Sequence, residues 1–159
     1  AVALIPVIPT QVSVKVADTQ AGLDAASALT RVVSAEWSLT DRFSPAYFLD
    51  GSTDWAAAVE IEPALGVKLK MEKDAAGMGL LTQMRAGSTK FVRIEAIGSI
   101  ITGAVPYTLT IDTACKVTGE PTFSDEDGVQ CIEWDMEGFY DTTWATATQV
   151  VVINAIATL

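Results

Sequence analysis

Three carboxylates stand at every second position near the end of this chain: Glu133, Asp135 and Glu137, within VQCIEWDMEGFYD (129–141). Ile132, Trp134 and Met136 alternate with them. Grouped carboxylates invite two chemistries. Hard cations take carboxylate oxygens as ligands, and paired carboxyls perform acid–base hydrolysis across a cleft. The spacing serves neither well. On a strand, residues i, i+2 and i+4 point the same way at intervals of about 6–7 Å, too wide for one ion without ligands from elsewhere. Nothing in the row separates an acid of raised pKa from ordinary surface acids. SDEDG (124–128) has the composition of a calcium loop but lacks its D-x-D-x-D-G register and distal Glu.

Other chemistry is equally poorly provided for. The chain contains no histidine, the commonest general base and metal ligand. Cys115 and Cys131 have no histidine partner and make poor nucleophiles. There is no P-loop, no G-x-G-x-x-G and no CxxC. The expectation is a protein without catalytic residues, cofactor or metal. Trp37, Trp55, Trp134 and Trp144 are assigned to the core rather than to a ligand platform. A formal net charge of −10 argues against binding nucleic acid, which needs clustered Lys and Arg, and against an anionic membrane surface.

With 159 residues, half of them apolar, the chain can build one domain with a real core. Residues 1–18 read as an extended arm, held open by Pro6 and Pro9, and a first strand in which Val12, Val14 and Val16 share a face. Residues 19–159 read as a single β domain. The absence of an initiator Met suggests trimming, or a domain cut from a longer chain. The opening apolar run is too short and too broken by proline for a membrane helix or a signal peptide.

Strands follow at 30–39, 44–49 and 55–62, the last ended by Pro63. In VKLKME, Val67, Leu69 and Met71 alternate with Lys68, Lys70 and Glu72. One helix is expected at about 74–86, with Asp74 as N-cap, Leu80, Leu81 and Met84 as its apolar stripe and Gly87 as its stop. TKFVRIEAIG (89–98) returns to strand, and SIITGAVP reads as a loop broken by Gly103 and Pro106. YTLTIDTACKV (107–117) places Leu109, Ile111, Cys115 and Val117 on one face. GEPTFSDEDG (119–128) reads as a polar hairpin connection. QVVVINAIATL (149–159) is a nearly all-apolar strand, expected to be buried on both sides or to lie at a subunit contact. Eight to ten strands and one helix indicate a mainly β fold: a sandwich or barrel of two sheets with one flanking α-helix. Cys115 lies on the apolar face of its strand and Cys131 on the carboxylate face of its own, so a disulfide between them is not expected.

The order of these elements is similar to that of the major tail tube proteins of long-tailed bacteriophages. The resemblance rests on RFSPAYFLDGS, on the strand–helix–strand run VKLKMEKDAAGMGLLTQMRAGSTKFVRIEAIG, on IDTACKVT, on FSDEDGV leading into IEWDMEG, and on YDTTW and the terminal VVINAIATL. It covers about residues 40–159. It implies a virion protein of the tail, made in the host cytoplasm. Subunits of this family form sixfold rings whose sheets join into an inner barrel. The rings stack into a tube that meets other tail proteins and conducts DNA without binding it.

That role supplies a reason for the acids. A polyanion sliding through a narrow pore is kept from sticking by an electronegative wall. Glu133, Asp135 and Glu137, together with Glu60 and Glu62, are the candidates for a lumen-facing row. Ile5, Val7, Tyr47, Phe48, Leu49, Val151 and Ile153 are the candidates for subunit contacts. The alternative is a monomeric β-sandwich module, also non-enzymatic, that binds or decorates a particle or a cell surface. A tube subunit differs from it in leaving sheet edges and apolar segments that only neighbours satisfy.

Overall fold

The computed structural model describes residues 8–40, 43–47, 57–60 and 63–155. Ten strands and one helix follow in order: β1 (Val12–Ala17), β2 (Val32–Thr40), β3 (Phe43–Ala46), β4 (Ala57–Glu60), β5 (Ala64–Glu72), α1 (Ala75–Ala86), β6 (Lys90–Thr102), β7 (Val105–Val117), β8 (Thr122–Glu126), β9 (Val129–Gly138) and β10 (Thr148–Ile153). The main sheet runs β1-β6-β7-β9-β5-β2, with β10 added to β7 and β8 to β9. All its pairings are antiparallel. β3 and β4 form a separate two-stranded ladder.

β7 makes the fold possible. One edge pairs with β6 along most of its length. The other pairs first with β10, through Thr108–Thr113, and then with β9, through Cys115–Val117. The sheet thereby rolls, and β1-β6-β7 lies over β2-β5-β9. Val14, Val67, Leu69, Val92, Cys115 and Met136 meet in the core between them, with Ala35 and Trp37 of β2 packed alongside. The Trp37 indole bridges the two layers by donating to Thr113 Oγ1 at 3.2 Å.

The helix begins and ends as its sequence dictates. Asp74 Oδ1 accepts the Gly77 N–H at 2.9 Å, and Gly87 takes a φ of +60° at the stop. Among the described residues its packing face holds the expected Leu81 and adds Met78. Met78 and Leu81 lie on Met71, Ile132 and Trp134, and the Trp134 indole donates to the Gly77 carbonyl at 3.0 Å. The side chains of Leu80 and Met84 lie outside the described residues.

Two expectations are corrected, and of the two readings of β10 one falls away. SIITGAVP is not a loop: β6 runs to Thr102 and β7 starts at Val105, with register shifts at Ile97/Ile100 and Ile100/Thr102. Pro106 is tolerated because β10 begins pairing only at Thr108, so its missing N–H interrupts no ladder on that edge. The polar connection 119–128 contains a strand, β8, closed by an Asp127–Gly128 turn with both φ angles positive. β10 is not buried on both sides, since Val150 to Ile153 are all exposed.

Candidate functional site

Alternation along β9 sorts its residues as expected. Ile132 and Trp134 are fully buried and Met136 nearly so, while Glu133 and Asp135 are partly exposed and Glu137 is exposed. The acids stand on the outer face of β2-β5-β9-β8, over which no described segment folds. The opposite half of the sheet is covered. There the turn at Ala21–Leu23 and the loop before β10 bury Leu23, Phe91 and Ala114, with Trp144 edge-on to Phe91 at 5.7 Å.

The row is not a bare acidic surface. Register places Lys68 opposite Asp135 and Lys70 opposite Glu133, and Lys116 opposite Glu137. Glu36 faces Lys68 from the other side. Lys68 Nζ lies 3.2 Å from Asp135 Oδ1. That hydrogen bond raises the Lys68 pKa, the charge of Asp135 adds to it, desolvation opposes them, and the charges of Glu133 and Glu36 add further. Lys70 turns to Glu126 instead, and Lys116 lies over the Phe139 ring at 5.1 Å. The face is therefore a lattice of alternating sign. The alternating lysines of VKLKME were visible in the sequence, but their register against β9 was not.

The remaining candidate residues fall elsewhere. Glu60 sits on β4, in the separate ladder, so the hydrogen-bonded sheet does not carry the row on to it. Its side chain, Glu62, Trp55, Ile5, Val7, Phe48 and Leu49 lie outside the described residues. Tyr47 is exposed beside β3. Val151 and Ile153 lie on β10, which among the described residues pairs only with β7.

No described carboxylates converge as a metal site. Two of the three SDEDG acids are already engaged: Asp125 Oδ1 accepts the Gly128 N–H at 3.0 Å, and Glu126 pairs with Lys70. A cavity of about 320 Å³ lies between residues 18–21, Phe91 and Trp144. Its acids are also committed. Asp18 pairs with Lys90, and Asp141 accepts the N–H groups of Thr143 and Trp144. Both cysteines are buried free thiols.

One polar cluster was not foreseen. Arg93 on β6 and Asp112 on β7 face each other on the covered side of the sheet, with Asp24 and Gln20 closing over them. Its signal was one Arg on β6 and one Asp on β7, in strands that are otherwise mostly apolar or hydroxylated but also carry Lys90, Glu95 and Lys116.

No protein-family model and no curated protein matches the chain. Solved structures do share its fold. It superposes on the SPP1 tail tube with a TM-score of 0.61 at 8% identity, over 93% of this chain and 80% of that one. A chain of the native gene transfer agent virion gives 0.57 at 9%, over 92% and 98%. A chain of the anti-feeding prophage baseplate gives 0.54 at 9%, over 94% and 97%. The fold is tail tube-like.

Proposed function

We propose that this chain is a structural subunit of a phage tail tube or related particle, self-assembling into stacked rings around a channel for DNA. The observation that carries this reading is β10. Four consecutive aliphatic residues, Val150 to Ile153, are 41–58% exposed on a strand with one open edge among the described residues. An isolated soluble module guards such an edge with charge, proline or a cover. A subunit that meets its own copies does not need to. The tail tube-like fold supports the reading.

In this role the outer face of β2-β5-β9-β8 lines the channel. Among the described residues it is the half of the sheet left uncovered, and it presents Glu133, Asp135 and Glu137 with their lysine neighbours. The contribution is architectural, without catalysis or cofactor, and the partners are copies of the chain and other tail proteins. The test is electron microscopy and sedimentation of concentrated pure protein over a range of salt. Rings or tubes are expected. A monomer under every condition would favour the binding or decoration module instead.

A further inference from the structure

Charge is distributed unevenly along this chain. Residues 1–14, 96–111 and 142–159 contain no Asp, Glu, Lys or Arg, so all thirty charged side chains, the ten basic and twenty acidic, lie outside these runs. Register brings residues 12–14, 96–111 and 150–153 of these runs together toward one end of the molecule. β6 runs toward the turn at Gly103, and antiparallel β1 begins opposite Ala96, so residues 8–11 before it lie on that side. β10 runs the same way as β6 and reaches the level of Thr108 at Ile153.

Beyond those levels the β6–β7 hairpin continues alone. Among the described residues no strand flanks it from Ile97 to Tyr107. The projecting ribbon exposes Ile97 (45%) and Ile100 (64%) on the face that carries Ile153 (41%) of β10, and Val105 (47%) on the face that carries Val152 (58%). Apolar exposure of this kind, free of charge, marks an interaction surface.

We propose that this ribbon is a self-association surface that docks a second copy of the chain, continuous with β10. Charge selects the occupant. Each copy carries a formal −10, so copies repel wherever acids meet, and this end is where they can touch without opposing like charges. An anionic bilayer would require flanking Lys or Arg, which these runs lack. The free edges carry neither lysine nor glutamate to deter strand addition. The inference rests on the assembly reading above and adds a contact that the candidate subunit residues did not include.

The test is the double substitution Ile100→Lys with Val105→Lys, both at exposed positions outside the core. Circular dichroism and melting should match the parent. Sedimentation should show the variant needing at least about tenfold higher concentration to assemble, one decade in the association constant. In the assembled parent, hydrogen exchange should slow at amides 97–107. A variant that assembles at the parent's concentration, or a ribbon that gains no protection, overturns the proposal while leaving the assembly reading intact. A parent that stays monomeric overturns both. A parent that binds phosphatidylcholine vesicles through this ribbon in place of self-assembly also overturns it.

Discussion

Arg93 and Asp112 stand directly opposite each other on β6 and β7 and share two hydrogen bonds of 2.7 Å. Their side chains are 10% and 5% exposed. Asp24 reaches the same guanidinium at 2.5 Å, and Gln20 reaches Asp112 at 3.2 Å. The pair thus holds the 18–24 segment against the outer face of the sheet. The Asp112 hydrogen bonds raise the Arg93 pKa; burial opposes them, and Asp24 adds to the rise.

Asp112→Ala should therefore destabilise the protein by about 3 kcal/mol, the cost of leaving a buried charge short of its main partner. Asp24→Ala should cost far less, because the Asp24 side chain is 77% exposed. Urea unfolding measures both. Arg93→Met combined with Asp112→Leu should recover much of the loss. Equal losses for the two single alanine variants would show that the buried pair is not what secures the segment.

Gly77 and Gly79 separate helix propensity from contact. A Cβ on Gly79 meets nothing within 4 Å, so Gly79→Ala should stabilise by up to about 1 kcal/mol. A Cβ on Gly77 would come within 2.7 Å of the Glu72 carbonyl and 3.0 Å of Ile132 Cγ2. Gly77→Ala should lower stability despite the better helix former. It should also shift Trp134 fluorescence, because the indole is bonded to the Gly77 carbonyl. A stabilised Gly77→Ala variant with unchanged fluorescence would contradict this packing.

What could be read in the sequence followed from local rules. The alternation in VKLKME and in CIEWDME assigned each side chain its face, and Asp74 and Gly87 marked the ends of α1. What could not be read depended on neighbours distant in sequence. Pro106 suggests a loop until the edge it occupies is known to be unpaired there. Asp112 resembles any solvated strand acid until the 19–24 turn is found over it. β10 reads as buried or as a subunit contact because it is apolar, yet among the described residues it pairs only with β7 and stays exposed. The acidic row was legible, whereas the lysines across from it depend on strand register.

Burial pushes the Cys115 thiol up to about 12 from its ordinary 9.0. Between those values the unfolded thiol ionises while the folded one keeps its proton. Unfolding then releases a proton, so stability should fall as pH rises through this window and be unaffected by this group below it. The slope is at most about 1.4 kcal/mol per pH unit. Cys115→Ala should start less stable but lose less between pH 9 and 12, and the titrations common to both proteins cancel in the comparison. Parallel curves would mean that Cys115 does not titrate in this way.

Gly138 leaves no room for a side chain. A Cβ there would lie 2.4 Å from Leu65 Cγ and Cδ2, and Leu65 is 6% exposed. Gly138→Ala should cost about 1–3 kcal/mol through overpacking. Leu65→Ala alone should cost about 2–3 kcal/mol. The double variant should cost less than their sum, because each change makes room for the other. Strict additivity in denaturant unfolding would show that the two sites do not touch.

Glu133, Asp135 and Glu137 can be changed without touching the core, since Ile132, Trp134 and Met136 hold β9 from its other side. Replacing the three acids by Gln, Asn and Gln removes three of the chain's twenty acidic side chains and leaves Lys68, Lys70 and Lys116 unopposed by β9. Melting should barely change. Assembly should change with salt. Like charges recurring from copy to copy oppose association, and salt relieves this beyond a Debye length of about 8 Å at physiological strength. The parent should thus assemble better as salt rises, and the amide variant should assemble at lower salt than the parent. Particles carrying it should eject DNA poorly, because the exposed lysines attract phosphate, and Lys at all three positions should stall DNA. Triple-Lys particles that assemble and deliver DNA as well as the parent would show that the row lies on the outside of the tube.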